Sequence, residues 1–179
     1  GHPHNTLPGI EMCSGSLGHG LSVSVGMALA GKRDGRTYRV YTVMGDGELA
    51  EGSIWEAAMA ASQYQLDNLC AAVDRNRLQI SGGTEEVMHQ DDVAARFESF
   101  GWNVVNVADG NDVSQLAQAL DAAEECKGRP TLIIANTVKG YGSLIMENKA
   151  SWHHHVPTEE EYRQISESFR RKLEEAEHE

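Results

Sequence analysis

Apolar, β-branched runs alternate along this chain with alanine-rich or amphipathic stretches of helical spacing, and that alternation constrains the fold most. TYRVYTVMGDG (37–47), NLCAAVD (68–74), WNVVNVADG (102–110) and PTLIIANTV (130–138) read as strands. GHGLSVSVGMALA (18–30), SIWEAAMAASQY (53–64), DDVAARFESFG (91–101) and DVSQLAQALDAAEECKG (112–128) read as helices. Repeated strand–helix–strand order implies βαβ units. The predicted fold class is therefore α/β, a parallel sheet with helices on both faces. In such sheets ligands sit beyond the carboxyl ends of the strands.

Local signals punctuate the pattern. Ser53–Glu56, Asp112–Gln115 and Thr158–Glu161 have capping-box spacing, and Gly101 and Gly128 are placed to stop helices. GKRDGR (31–36) reads as a turn, RNRLQISGGTEE (75–86) as a loop, and residues 139–157 show no periodicity. TEEEYRQISESFRRKLEEAEHE (158–179) reads as a charged terminal helix. The expected organisation is one domain over 1–157 with a helical extension over 158–179.

Asp46 stands between Gly45 and Gly47 at the carboxyl end of one predicted strand. Asn76 stands just past the end of the next. The helix between them returns the chain, so both side chains face one crevice. Glycines let a ligand approach the backbone closely, and N–H groups there hold anions. A carboxylate with an amide oxygen is a hard donor set that suits Mg²⁺ or Ca²⁺ rather than zinc. GDG alone is more often a strand-to-helix corner. GDG followed by a helix, a second strand and then Asn is a much more specific signal, and it reads as a metal–diphosphate site.

Composition excludes other classes. The 179 residues carry 15 Lys and Arg against 27 Asp and Glu, a net charge of −12. Nucleic acid wants the opposite balance, so no nucleic-acid partner is expected. No apolar run approaches the ~20 residues that span a bilayer, so no membrane partner is expected. Cys13, Cys70 and Cys126 are scattered and odd in number. They form neither a disulfide framework nor a CxxC zinc site, which points to a reducing, cytoplasmic setting.

The stretch Gly45 to Gly82, GDG with Asn about thirty residues on, resembles the thiamin-diphosphate-binding motif of transketolases. GHP (1–3), GSLGHGLSVSVGMALA (15–30), RFESFGWNV (96–104), GRPTLIIANTVKGYG (128–142) and SWH (151–153) resemble the same family in order. The chain is most similar to the amino-terminal, diphosphate-binding half of split bacterial transketolases. That resemblance implies thiamin diphosphate with Mg²⁺ (or Ca²⁺) as cofactors. The implied reaction moves a two-carbon ketol unit from a ketose phosphate to an aldose phosphate, the cofactor serving as electron sink.

The implied metal ligands are Asp46, the Asn76 side chain and the Leu78 carbonyl. Gly45 and Gly47 would lie at the diphosphate, Gly15 and Leu17 against the cofactor, and Ile80 against its thiazolium ring. His2 would sit near the donor hydroxyl, and His153 would touch diphosphate and substrate. Glu51 would couple two active sites across a subunit interface. His4 and His19 are expected not to be catalytic, and Trp55 to pack. The resemblance also implies several dozen residues ahead of GHP, with two further active-site histidines. It implies a pyrimidine-binding carboxyl-terminal subunit as partner, in a heterotetramer of two plus two, because the glutamate that activates the cofactor belongs to that half.

The chain departs from the family pattern in places. Ser16 replaces a proline, Ser81 an aspartate, Arg75 and Arg77 flank Asn76, and His153–His155 stand where one histidine is usual. Related alternatives are a deoxyxylulose-phosphate-synthase-like enzyme, a transketolase for a modified sugar, and an assembly subunit that has lost turnover.

Overall fold

The four apolar runs form one parallel sheet. In the computed structural model, residues 2–176 are described, so Gly1 and residues 177–179 of the expected extension lie outside the description. The strands are β1 (Val40–Gly45), β2 (Leu69–Arg75), β5 (Asn103–Val107) and β6 (Thr131–Asn136), in the order β1-β2-β6-β5. A small hairpin, β3 (Leu78–Gln79) with β4 (Gly82–Gly83), follows β2. The helices are α1 (His19–Arg33), α2 (Gly52–Gln63), α3 (Thr84–Val87), α4 (Val93–Ser99), α5 (Val113–Glu125) and α6 (Glu159–Ala176).

Strand order explains where the helices lie. The steps β1 to β2 and β2 to β5 move the same way across the sheet, whereas β5 to β6 steps back. Right-handed crossovers then place α2 and α4 on one face and α5 on the other. Burial follows this division. Met44, Ala71, Val73, Leu132 and Ile134 pack with apolar residues of α1, α2 and α4. Cys70, Val107 and Ile133 face the other way, onto Ala119 and Ala123 of α5. All three cysteines are free thiols. Among the described residues no helix is long and apolar enough to cross a membrane.

Trp102 anchors the first face. It is 1% exposed, meets Phe97 edge-on at 5.3 Å, and donates its indole N–H to the Ala58 carbonyl at 2.9 Å. Trp55 stacks on Phe97 at 5.3 Å with the Arg96 guanidinium 5.6 Å above it, so it packs as expected. The chain leaves α4 through a Schellman turn, with Gly101 and Trp102 donating to Glu98 and Phe97.

Several local expectations are corrected by tertiary contacts. The first helix runs on through Arg33, which shortens the expected turn. The stretch 75–86 is no simple loop, since it holds the β3–β4 hairpin and the start of α3. The Ser53–Glu56 box does not form. α2 begins at Gly52 without a side-chain cap, because Ser53 Oγ donates to the Gly18 carbonyl at 3.0 Å instead. Asp112 caps α5 by accepting from Ser114 and Gln115 N–H, but Gln115 turns its own carbonyl to Asp109 N–H. Gly128 lies beyond the end of α5, and its N–H donates to Asp67.

The Thr158–Glu161 box does form. Thr158 N–H and Oγ1 donate to Glu161 Oε2 at 2.8 and 2.9 Å, and Glu161 N–H returns a bond to Thr158 Oγ1 at 3.3 Å. His155 Nε2 adds a 2.8 Å contact. The Thr158 N–H first, with His155 and the Thr158 hydroxyl, holds the Glu161 pKa down at about 2, against an ordinary 4.5. A lowered folded pKa stabilises fully above 4.5, and the gain disappears as pH falls through about 2. Helical far-UV circular dichroism is therefore expected to decline across that window and to lose that dependence in Glu161→Gln. An unchanged acid profile in the variant would refute the box. Further along, Lys172 Nζ donates to the Gly142 carbonyl at 3.0 Å and the Phe169 ring lies against Gly142, which docks α6 on the 139–149 loop.

Candidate functional site

Parallel pairing sets Gly45 opposite Asp74, so Asp46 leaves β1 beside the carboxyl end of β2. Asp46 N–H donates to the Asp74 carbonyl at 3.2 Å, extending the ladder one step past the strand. The chain then turns at once into a short 3-10 helix, Gly47–Ala50. Asp46 is consequently buried, 1% exposed. Its Oδ1 accepts Gly47 N–H at 2.8 Å, and its Oδ2 accepts Arg77 N–H at 2.5 Å. The Arg75 guanidinium lies 3.4 Å from the same Oδ2.

Burial outweighs these donors, so the Asp46 pKa lies above its ordinary 3.8, with Arg77, Arg75 and Gly47 pulling it back. Protons therefore compete with a cation for this carboxylate at a higher pH than for an ordinary aspartate.

Asn76 is held in one orientation. Its Nδ2 donates to Asp74 Oδ1 at 3.1 Å, and its Oδ1 accepts Leu78 N–H at 3.0 Å. Thr137 from the end of β6 also donates to Asp74 Oδ1, so the ends of two strands, β2 and β6, meet at one carboxylate. Arg77 has φ +65°, and the left-handed turn there brings its N–H onto Asp46 and carries the chain into β3.

The donor set fits a hard divalent ion. It comprises one carboxylate with lone pairs to spare, one amide oxygen held by its own NH₂, and the Leu78 carbonyl. Among the described residues no three His, Cys, Asp or Glu side chains gather as for a transition metal. Room for a ligand is present too. A Cβ placed on Gly45 would meet nothing within 4 Å, whereas one on Gly47 would sit 3.0 Å from Gln79 Cβ and press on that side chain. Beside Gly47, Gln79 Oε1 is buried without a hydrogen-bond partner. A buried orphan acceptor is costly, which is the mark of a place that expects a donor.

The loop 14–18 closes over the same corner. Glu48 accepts Gly18 N–H at 2.8 Å and Gly45 N–H at 3.2 Å, binding loop to turn. Gly18 has φ +84°, and a Cβ there would stand 2.5 Å from Ser53 Oγ and 2.7 Å from Glu51 Cβ. Glu51, exposed, thus lies at the junction of this loop and α2. The His2 ring covers Gly15 and shares a cavity of about 270 Å³ with Cys13 and His19. Leu17 and Ile80 are apolar yet 58% and 60% exposed. His153 ends a 3-10 turn, Ala150–His153, that packs against β3. Desolvation first, then Lys139 and His154, lowers its pKa below 6.5, leaving the ring neutral at pH 7.

The structure therefore brings Gly45, Asp46, Gly47, Asn76 and Leu78 together at the ends of β1 and β2. It sets Glu51 beside the 15–18 loop and the His153 turn against β3. Sequence reading missed Glu48, Gln79, Thr137 and the Arg75 contacts. Only Thr137 carried a signal, as the first polar side chain after Asn136 at a strand's carboxyl end.

Comparison with known proteins gives the family of the domain. Residues 1–175 match the family model described as transketolase, thiamine diphosphate binding domain. The chain is 48% identical over 179 residues to an apulose-4-phosphate transketolase subunit of Phocaeicola vulgatus, covering 100% of this chain and 63% of that protein. It is 42% identical over 152 residues to 6-deoxy-6-sulfo-D-fructose transketolase subunit SqwG of Clostridium sp. (strain MSTE9), covering 85% of this chain and 55% of that protein. The crystal structure of transketolase from Campylobacter jejuni superposes with a TM-score of 0.85 at 31% identity, over 93% of this chain and 27% of that one. The chain thus spans less than two thirds of the length of these relatives.

Proposed function

This chain belongs to the transketolase family, through its thiamine-diphosphate-binding domain, and from that premise we propose that it is the diphosphate-binding subunit of a split transketolase. The proposed reaction moves a two-carbon ketol unit from a ketose phosphate to an aldose phosphate. The observation that carries the reading is that Asp46, just past β1, accepts the N–H of Arg77, the residue between Asn76 and Leu78 just past the adjacent strand β2. Asp46, Asn76 and the Leu78 carbonyl would hold Mg²⁺ (or Ca²⁺), and the bound cofactor supplies the electron sink for carbon–carbon cleavage.

The chain's own residues do the rest. Gly45 and Gly47 admit the diphosphate, and the exposed Leu17 and Ile80 offer apolar surface to the ring system. Gly15 lines the loop under His2. His2 binds the donor hydroxyl, and neutral His153 accepts or returns a proton at substrate oxygen. Glu51 reaches toward the partner. That partner would be a pyrimidine-binding subunit, in a cytoplasmic assembly of two plus two, with residues 158–179 as an extension outside the cofactor domain.

A modified sugar, its anionic end a phosphate or a sulfonate, is the favoured substrate class within this reading. The support is similarity to two subunits named for apulose 4-phosphate and for 6-deoxy-6-sulfo-D-fructose. The test is co-expression with the partner chain and assay of xylulose 5-phosphate plus ribose 5-phosphate against apulose 4-phosphate. Turnover of the branched sugar at least ~10-fold above the ordinary pair, in kcat/KM, is expected. Cofactor binding without turnover of either would replace the enzyme reading with an assembly subunit.

A further inference from the structure

Arg75 is a cation built into the floor of the site. It is 8% exposed, and its guanidinium spans three groups: Asp46 Oδ2 at 3.4 Å, Thr84 Oγ1 at 3.1 Å and Glu85 Oε1 at 2.7 Å. Thr84 and Glu85 belong to α3, so one guanidinium ties the end of β1 to a separate element. Glu85 also accepts Gln90 N–H at 3.0 Å, which fixes the carboxylate that fixes the arginine. A buried cation in this position changes what a second cation meets.

We propose that Arg75 is an internal counterion that makes divalent-cation binding depend on the diphosphate, with Glu85 setting how strongly it acts. This rests on the metal–diphosphate reading of the site. Asp46 is the one charged group in the proposed ligand set, and Arg75 already compensates part of its charge. A lone Mg²⁺ would therefore exchange its water shell for a part-neutralised carboxylate and two neutral oxygens, a poor trade. The diphosphate brings the negative charge that the site withholds. The same guanidinium favours that anion, so metal and diphosphate assist one another.

Glu85 makes the idea separable from scaffolding. It draws Arg75 at 2.7 Å, away from Asp46 at 3.4 Å. Removing its charge gives Asp46 more of the arginine, whereas removing the arginine frees Asp46 for metal. The two changes push metal binding in opposite directions, although both break the same ion pair.

The experiment uses the full assembly with its partner chain. Calorimetry with Mg²⁺ is run with and without saturating thiamine diphosphate, for the parent, Arg75→Gln and Glu85→Gln. Arg75→Gln is expected to raise affinity for Mg²⁺ alone roughly tenfold and to shrink the difference that the cofactor makes. Glu85→Gln, at a side chain 39% exposed, is expected to lower affinity for Mg²⁺ alone severalfold and to widen that difference. Both variants weakening Mg²⁺ alike, or neither moving the cofactor dependence, overturns the proposal. A parent that binds no Mg²⁺ even with cofactor overturns the metal–diphosphate reading instead.

Discussion

Asp46→Asn is expected to lose metal-dependent cofactor binding by more than ~100-fold, because outer-shell changes alone cost about 10- to 100-fold at metal sites. The substitution keeps shape and one acceptor oxygen while removing the charge. The fold should survive it. Burial already raises the Asp46 pKa, so the folded chain bears a cost for the ionised form at neutral pH. That cost is absent below the ordinary 3.8 and is present once pH exceeds the raised folded value. Asparagine removes it and Arg75 keeps Glu85, but the single amide oxygen serves only one of the Gly47 and Arg77 N–H groups, which now bond separate carboxylate oxygens, and the NH₂ faces the other. Thermal stability of the metal-free protein is expected to fall by no more than about 1–3 kcal/mol, the cost of one unpaired buried donor, part of which the removed charge offsets. Calorimetry beside a melting curve checks both halves, and unchanged cofactor affinity with Mg²⁺ would remove Asp46 from the ligand set.

Trp102→Ala is expected to cost about 3–5 kcal/mol, the range for deleting a large buried aromatic. The indole is 1% exposed and sits where α2, α4 and the start of β5 meet. Its removal leaves a void beside Phe97, which loses an edge-to-face partner at 5.3 Å, and it deletes the bond to the Ala58 carbonyl. The residues around it are fully buried and belong to different helices, so they cannot collapse together to fill the gap. Trp102→Phe keeps most of the volume and is expected to cost clearly less. Denaturant unfolding measures both, and a loss under about 1 kcal/mol for the alanine would show that the site relaxes.

The centre of the sheet was legible because β2 and β6 are buried and mostly apolar on both faces. Ala71 and Val73 face one layer of helices and Cys70 the other, so β2 reads as a continuous run without alternation. Thr158 and Glu161 were legible because both partners of the box lie within one turn and the further partner, His155, is local too. Ser53 and Glu56 have the same spacing and failed. The Gly18 carbonyl, from a loop far back in the chain, took the serine hydroxyl. Local rules hold where a side chain has only local partners.

By itself the sequence determined the α/β class, the neighbouring placement of Asp46 and Asn76 at the ends of adjacent strands, and the glycines around them. Each depends on short-range chemistry: hydrophobic period, donor type and backbone freedom. Tertiary structure alone decided that α5 crosses to the opposite face, because strand order reverses only when β6 inserts between β2 and β5. It alone placed Glu48 under the 15–18 loop, Thr137 on Asp74, and Arg75 between Asp46 and Glu85. Those contacts join residues from separate elements, and the strength of a charge pair depends on separation and burial, neither of which a linear spacing contains.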